Sequence, residues 1–498
     1  MMMKVLSRKT ILPAVMMFTL ATSVIFMSAL INKLEADADR SRELKVFEEA
    51  ITVVRLKYVE DVQPRELING AIKGMMGSLD PRSDFAASDK YEEIAGAKGI
   101  LMRRLMGAAE ADVDNHEGLR LFEEALATVR KNYAADGTAN IRSRDLVYSA
   151  IQGMVGSLDP HSEFMTPEQY KEMRVDAKGE FGGIGVKLDI RGEMLTVVDL
   201  IDGTPAFRAG IKEGDRIAKI NDKSTENMTL QEAIDETRGM PSTMVKLTIF
   251  RAGWKETKDL VIRREQIRID SVESATLGGR IGYIKIRQFQ EQTASEFSAA
   301  LSGLVQEGVK SLILDLRNNP GGLLHSAVDV ASQFIPSGKL VVYTQNRSGK
   351  KKEYRSGKNA LYTSIPLVVL VDKGSASASE ILTGALKDWH RAAIVGTATY
   401  GKGSVQTVVP LEDGSALRIT TARYYTPRGT SIQSTGITPD VVVKSALGEK
   451  KGPGAMIIEQ KEDIQLQKAM NLLRTGTSGN CSSAHSRNEL QAPSTSLL

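Results

Sequence analysis

Hydrophobic residues recur at helical spacing in two similar segments near the N-terminus, residues 44–85 and 119–164. Both segments share the same apolar positions: Leu44, Phe47, Ile51 and Val54 in the first, and Leu119, Phe122, Leu126 and Val129 in the second. Spacings of three and four residues predict amphipathic helices. Each segment ends in Gly-Ser-Leu-Asp-Pro, which favours a helix stop. We therefore predict two copies of a helical hairpin, which fit either a dimerisation or lid module or a packed spacer.

The pattern changes to short alternating strands from about Lys178. The stretches "MLTVVDLI", "DRIAKIN" and "MVKLTIF" alternate in the way expected for half-buried strands. Between them, "TLQEAIDETR" predicts a helix with Thr229 as its N-cap and Glu232 at the capping-box position. The glycine-rich "GGIGV", residues 182–186, opens a strand, and its successive N–H groups could hold an anion.

Strands and helices alternate from about Gln266 to Lys444. Predicted strands are "RIGYIKIRQF", "KSLILDLR", "IPLVVLV" and "RAAIVG", with helical segments between them. This order predicts a parallel or mixed sheet with crossover helices. Sites on such sheets lie at the carboxyl ends of strands. Two turns, "NNPGG" and "DKGSAS", occupy such ends and are the candidate site.

Composition and charge exclude several classes of function. The formal net charge is +4, from 65 basic and 61 acidic residues, which gives no electrostatic reason to expect a nucleic-acid partner. The only cysteine, Cys481, rules out an internal disulfide and a thiolate metal cluster. No two of the 5 histidines lie at ligand spacing. We therefore expect no metal site and no cofactor.

Three serines at alternate positions, Ser375, Ser377 and Ser379, follow a predicted strand and precede a predicted helix. A serine nucleophile needs a neighbouring base. His390 lies at the far end of that helix and cannot reach back, whereas His325, after "NNPGG", could. Lys402 in "TYGKGSVQ" is the favoured base, because burial would keep its amine neutral. Ser-Lys pairs are a variant of the catalytic triad.

The segment around "GGIGV" and "TPAFRAGIKEGDRIAKIND" resembles a PDZ domain. The resemblance implies that the C-terminal carboxylate of a peptide binds the N–H groups near Gly183, Ile184 and Gly185. The peptide strand would then add to the edge of the sheet. Protein substrates with unstructured C-termini are the partners that this resemblance implies.

Four further motifs, "GSASASEILTGALKD", "GTATYGKGSVQ", "DGSALRITTARYYTPRGTSIQSTGITPD" and "LDLRNNPGG", resemble those of the C-terminal processing peptidases, also called tail-specific proteases. The resemblance implies that Ser377, 25 residues before Lys402, is the nucleophile. It also implies that Gln406 orients the lysine amine. Four residues on a helical turn would place Lys402 and Gln406 on one face. For the oxyanion we expect the N–H of Ala378 and that of Gly321 or Gly322.

Two alternatives to this reading remain open. One is a catalytically inactive, membrane-anchored PDZ scaffold. The other is a Ser-His-Asp hydrolase using His325, although the chain lacks the G-x-S-x-G elbow of α/β-hydrolases at these serines.

The N-terminus predicts a membrane anchor. Lys4, Arg8 and Lys9 precede an uncharged apolar stretch over residues 11–31, about as long as a bilayer-spanning helix. Basic residues before the span keep the N-terminus in the cytoplasm. We expect the rest of the chain at the periplasmic face of the bacterial inner membrane, with a cleaved signal peptide as the alternative.

The fold class that follows is multidomain α+β, with a membrane anchor, a duplicated helical region, a PDZ-like β-rich domain and an α/β protease core. We also expect a homodimer or a larger oligomer. The predicted segments are the anchor (1–33), the first helical repeat (34–100), a linker with the second repeat (101–177), the PDZ-like domain (178–265), the Ser-Lys protease core (266–445), a C-terminal helical segment (446–474) and a disordered tail (475–498).

Overall fold

The computed structural model describes residues 42–78, 115–135, 142–278, 280–358, 360–444 and 463–476. The predicted anchor, residues 1–33, lies outside the described residues, and so does the tail beyond residue 476. Within the described ranges, no helix combines the length and the apolar character that crossing a bilayer requires.

In chain order the helices are α1 (42–57), α2 (Pro64–Gly77), α3 (Asn115–Ala135), α4 (Ser143–Gly156), α5 (Pro167–Lys178), α6 (Pro205–Arg208), α7 (Leu230–Thr237), α8 (Thr293–Gln306), α9 (Leu324–Ala331), α10 (Ala378–Asp388) and α11 (Ile464–Arg474). The strands are β1 (Glu163–Met165), β2 (Glu180–Gly183), β3 (Val186–Arg191), β4 (Met194–Leu200), β5 (Arg216–Ile220), β6 (Lys223–Ser224), β7 (Met244–Phe250), β8 (Lys258–Arg263), β9 (Glu265–Arg268), β10 (Val272–Leu277), β11 (Ile281–Ile286), β12 (Ser311–Asp315), β13 (Leu340–Asn346), β14 (Lys351–Arg355), β15 (Leu367–Val371), β16 (Ala393–Gly396), β17 (Ser404–Pro410), β18 (Ala416–Tyr425) and β19 (Val441–Val442).

The chain divides into two units. The first consists of Met1–Tyr170, Asn346–Lys350 and Ser404–Arg423, and the second of Lys171–Gln345, Lys351–Gly403 and Tyr424–Leu498. In the first unit, the helices predicted for the two copies are present, α1 and α2 in the first and α3 and α4 in the second. Their apolar faces form one core, which Leu417 and Ile419 of β18 complete. Strand β18 pairs antiparallel with β1 and with β17.

The β-rich part of the second unit has the strand order β3-β4-β5-β7-β8, with β6 paired to β5 and a separate β2-β9 pair. Its core is aliphatic and includes Val197, Ile217 and Leu247. The predicted capping box of α7 is present, because the Thr229 side chain accepts from the Glu232 N–H and the Glu232 carboxylate accepts from the Thr229 N–H. Among the described strands, β3 pairs only with β4, so its other edge is open.

The α/β part of the second unit contains the sheet β10-β11-β12-β15-β16-β19. Neighbouring strands from β11 through β12, β15 and β16 to β19 are parallel, and β10 is antiparallel to β11. The prediction of a parallel or mixed sheet is therefore confirmed, and the sheet is mixed. All residues of β12 and β15 are buried, as their continuous apolar sequences indicate. Because β12 and β15 are parallel neighbours, the turns that follow them meet at one edge of the sheet.

Candidate active site

The turns after β12 and β15 are joined by hydrogen bonds. The N–H of Asn318 donates to the Asp372 carboxylate over 2.9 Å, and the N–H of Ala376 donates to the Asn319 carbonyl over 3.0 Å. The Asn319 side chain donates in turn to the carbonyl of Ile286 over 2.9 Å, at the end of β11. The two predicted loops thus form one structure, which is fixed to three adjacent strands.

The three serines differ in what their hydroxyls contact. Ser375 Oγ donates to the Leu316 carbonyl over 2.8 Å, and Ser379 Oγ donates to the Asn319 carbonyl over 3.0 Å. Both side chains are buried, whereas Ser377 is half-buried. The hydroxyls of Ser375 and Ser379 therefore fix the turn, and Ser377 is the serine of the three that a substrate can approach.

The backbone at Ser377 has a conformation that side-chain-bearing residues rarely adopt. Its φ is 52° and its ψ is −113°, immediately before the first residue of α10. A non-glycine residue held in such a region costs about 1–3 kcal/mol. The surrounding hydrogen bonds offset that cost and hold the serine at the turn.

Gly321 allows the other turn to approach Ser377 closely. A Cβ at Gly321, whose φ is +101°, would lie 2.8 Å from Ser377 Cβ and 2.7 Å from the Ala376 carbonyl oxygen. Any side chain at this position would push the two turns apart, so glycine is required there by contact as well as by its backbone angle.

Glu380 connects the serine turn to the lysine loop. Its side chain is buried, and its oxygen Oε2 accepts from the N–H of Ser377 over 2.8 Å and from the N–H of Lys402 over 2.9 Å. The other oxygen, Oε1, accepts from the Gly401 N–H over 2.7 Å and from Thr399 Oγ1 over 2.6 Å. Ser377 and Lys402 are thus held by the same carboxylate oxygen, although 25 residues separate them in the chain.

Tyr424 strengthens this connection. Its buried hydroxyl donates to the Lys402 carbonyl and lies 3.3 Å from the Ser377 carbonyl oxygen. The pKa of Tyr424 is raised well above its ordinary value. Burial of the phenol is the larger cause, and the negative charge of the nearby Glu380 carboxylate is the smaller one. The phenol therefore stays protonated and remains a donor at physiological pH.

The N–H groups predicted to bind the oxyanion differ in their hydrogen bonding. The N–H of Gly321 is already used, since it donates to Asn319 Oδ1 over 2.9 Å. Over the part of the chain that the structure describes, the N–H groups of Gly322 and Ala378 donate no hydrogen bond. The N–H groups of Gly322 and Ala378 are therefore available to an external acceptor, whereas that of Gly321 is not.

Gln406 does not lie on a helix, so the predicted helical face shared with Lys402 is wrong. Gln406 belongs to strand β17 and to the first unit, and its side-chain amide donates to Ser404 Oγ over 2.8 Å. The β-branched residues around it, Val405, Thr407 and Val408, favour an extended chain, and β17 pairs with β18. Its orienting role stays a prediction.

His325, the alternative base, lies exposed on α9. Its ring forms no hydrogen bond with any residue that the structure describes. A Ser-His-Asp arrangement requires a carboxylate hydrogen-bonded to the histidine ring. Among the described residues, the His325 ring has no such partner.

The glycine-rich segment of the β-rich part connects β2 to β3. Gly183 ends β2, while Ile184 and Gly185 form a buried turn before the open-edged strand β3. The carbonyls of Ile184 and Gly185 accept from Ala206 and Ile201 over 2.9 and 3.1 Å. Within the described ranges, the N–H groups of Ile184 and Gly185 have no acceptor.

Comparison with known proteins gives three family matches. Residues 280–443 match the model of Peptidase family S41, and residues 172–250 match the PDZ domain. Residues 14–90, which include the first helical copy, match the activating protease CtpB N-terminal domain.

Individual proteins are also similar to this chain. The carboxy-terminal-processing protease of Bartonella bacilliformis is 42% identical over 392 residues, which cover 72% of this chain and 89% of that protein. The carboxyl-terminal-processing protease of Synechocystis sp. is 38% identical over 343 residues, which cover 68% and 79%. The solved structure of the photosystem II D1 C-terminal processing protease is 28% identical and covers 81% of this chain and 93% of that one, with a TM-score of 0.43.

Proposed function

Because this chain belongs to the carboxy-terminal-processing proteases of peptidase family S41, and is a serine-type peptidase with a PDZ domain, we propose that Ser377 is its nucleophile and Lys402 its general base. The observation that carries the proposal is the single Glu380 oxygen that accepts from the N–H groups of both residues. The accessible hydroxyl of Ser377, between two serines whose hydroxyls are bound to carbonyls, supports the same assignment.

The proposed reaction proceeds through an acyl-enzyme. The neutral amine of Lys402 takes the proton of Ser377 Oγ while the oxygen attacks the scissile carbonyl carbon. The resulting lysine ammonium then gives that proton to the leaving amine as the peptide bond breaks. A water molecule attacks the ester and gives a proton to Lys402, and as the ester C–O bond breaks the lysine ammonium returns that proton to Ser377 Oγ, which releases the new C-terminus, the serine hydroxyl and the neutral amine.

Two backbone donors are proposed to stabilise the tetrahedral oxyanion. The N–H of Ala378 directly follows the nucleophile, and the N–H of Gly322 lies in the turn that contacts Ser377 through Gly321. Preorganised donors of this kind contribute about 10²–10³-fold to the rate each. We further propose that Gln406, four residues after Lys402, orients the lysine amine.

A serine-reactive fluorophosphonate probe should label this chain at Ser377, and peptide mass spectrometry would locate the label. An inactive PDZ scaffold would not react. The same experiment on His325→Ala tests the Ser-His alternative, because loss of the base would slow labelling by orders of magnitude. We expect the His325→Ala variant to react within about twofold of the parent rate, since its exposed ring forms no hydrogen bond with the groups described above. Strong loss of labelling in this variant would refute Lys402 as the base.

The PDZ domain is proposed to bind the C-termini of protein substrates. A terminal carboxylate would accept from the N–H groups of Ile184 and Gly185, and the preceding residues would pair with the open edge of β3. Main-chain pairing gives affinity to any extended tail, so substrates with unstructured C-termini are favoured.

Peptide binding should depend on a free carboxylate. In fluorescence anisotropy with the Ser377→Ala chain, amidating the C-terminus of an apolar peptide is expected to weaken binding at least tenfold, because hydrogen bonds to a charged acceptor contribute about 1.5–3 kcal/mol. The Gly185→Val variant should weaken the free peptide similarly, since a Cβ there would lie 2.4 Å from the Thr204 side chain and φ is +81°. Equal affinities of the acid and the amide would contradict the proposed carboxylate site.

We also propose an anchored location at the periplasmic face of a bacterial inner membrane. The basic residues Lys4, Arg8 and Lys9 and the apolar residues 11–31 support it. Fractionation of washed membranes, with the N-terminus of the recovered chain sequenced, distinguishes an anchor from a cleaved signal peptide.

A further inference from the structure

The two helical hairpins contact each other through equivalent residues. Phe47 and Phe122 occupy the same position in the two copies, and their rings stack with centroids 3.7 Å apart at 19°. Gly74 and Gly153 are likewise equivalent. A Cβ on Gly74 would lie 2.6 Å from Gly153 Cα, and a Cβ on Gly153 would lie 2.5 Å from Gly74 Cα. Helices α2 and α4 therefore cross where these two glycines meet.

The neighbouring contacts are reciprocal. The Cβ placed on Gly74 would also lie 2.3 Å from the carbonyl oxygen of Ser149, and the one on Gly153 would lie 2.5 Å from that of Gly70. Ser149 and Gly70 are equivalent positions of the two copies. When residue i meets j′ and residue j meets i′, the two bodies are related by a two-fold axis. The crossing of α2 and α4 is thus a local two-fold interface.

Each hairpin covers the apolar face of the other. Buried side chains of both copies belong to a single cluster: Val46, Phe47, Ala50, Ile51, Val54, Leu67, Ile68, Ala71, Ile72, Met75 and Met76 from the first, and Phe122, Ala125, Leu126, Val129, Leu146, Val147, Ala150, Ile151, Met154 and Val155 from the second. Burying one large aliphatic or aromatic side chain contributes about 1.5–3 kcal/mol. A single hairpin would expose this face and would need a partner of the same shape.

We propose that the duplicated module is an internal dimer. The face that one hairpin would offer to a second chain is occupied by the other hairpin of the same chain, so α1–α4 do not join two copies of this protein. Any homodimer must then use a different surface. Tethering supports pairing within the chain, because both copies belong to one polypeptide and their association is an intramolecular event, independent of the concentration of separate chains. The proposal is independent of the proposed catalytic mechanism.

A designed disulfide tests which chains pair. A Cβ on Gly70 would lie 2.7 Å from Ser157 Oγ, close to the Cβ-to-sulfur distance of a disulfide. The full-length chain would carry Gly70→Cys and Ser157→Cys together with Cys481→Ser, which removes the native thiol. After oxidation, we expect denaturing non-reducing gels to show single-chain mobility and mass spectrometry to show the linked peptides. A double-chain band, or a folded variant that forms no disulfide, would overturn the proposal.

The single variants provide the control. Gly70→Cys and Ser157→Cys chains, each with Cys481→Ser, are mixed, unfolded and refolded together before oxidation. If the hairpins pair only within a chain, the cysteine of one variant does not lie next to the cysteine of the other. We therefore expect less than about a tenth of the material as disulfide-linked pairs of chains, because pairing within a chain is intramolecular. A major fraction of linked pairs would show that hairpins exchange between chains and would contradict the internal dimer, even if the double variant folded poorly.

Discussion

The Ser377→Ala variant is expected to lose at least about 10³-fold in the rate of peptide-bond cleavage, since it removes the proposed attacking oxygen and leaves only binding and oxyanion stabilisation. Lys402→Ala should lose about as much, because a serine hydroxyl without a base is a weak nucleophile. The double variant should be no slower than either single one, as residues that act as one unit are not additive. Single-turnover cleavage of an unfolded protein, followed by gel or mass spectrometry, measures all three.

The flanking serines are matched controls for this experiment. Ser375→Ala and Ser379→Ala each remove a buried hydroxyl from the same turn, and each loses one hydrogen bond to a carbonyl. We expect a stability loss of about 1 kcal/mol for each and cleavage within about tenfold of the parent. If Ser377→Ala cleaved as fast as these controls, the nucleophile would be misassigned.

The Glu380→Gln variant is expected to show the second largest effect, a fall in kcat of about 10²-fold. Each carboxylate oxygen of Glu380 accepts two hydrogen bonds of 2.6–2.9 Å, so the amide nitrogen of glutamine would meet at least two donors in either orientation. Leaving buried donors unsatisfied costs about 1–3 kcal/mol each. The expected result is a displaced Lys402 loop, lower thermal stability and an unchanged affinity of the PDZ domain for peptides.

A role in positioning the reacting groups is separable from a role in stability alone. kcat, peptide affinity and melting temperature would be measured on Glu380→Gln and on Glu296→Gln, a matched change at a carboxylate that also accepts a backbone N–H, that of Ser271. Both variants should melt earlier, but only Glu380→Gln should lose kcat in the temperature range where the chain is folded. A Glu380→Gln chain with the parent kcat would show that this carboxylate does not align serine and lysine.

Much of the fold follows from local sequence, because periodicity and capping act over a few residues. The four helices of the duplicated region, the α7 capping box and the buried strands β12 and β15 were predictable for that reason. The pairing of the two hairpins was not, because it depends on which apolar faces meet, and duplication alone does not specify that.

The candidate site was predictable only in part. Alternating serines marked the turn, but burial, which the sequence does not display, distinguishes Ser377 from its neighbours. For Glu380 the sequence suggested only a favourable charge in the first turn of α10. Its donors Thr399, Gly401 and Lys402 lie far downstream in the chain. The Ser-x-x-Glu spacing of a capping box was the available local signal. Gln406 was predicted on a helix because it lies four residues after Lys402. The β-branched residues around it form a strand instead.

The contacts of Glu380 also determine where mutations can accumulate. Three of the four donors at 2.6–2.9 Å are main-chain N–H groups, which every residue except proline supplies. The neighbouring Tyr400 is 61% exposed. Surface positions beside the lysine can therefore diverge without altering the alignment of the reacting groups. That alignment depends mainly on the codon for Glu380.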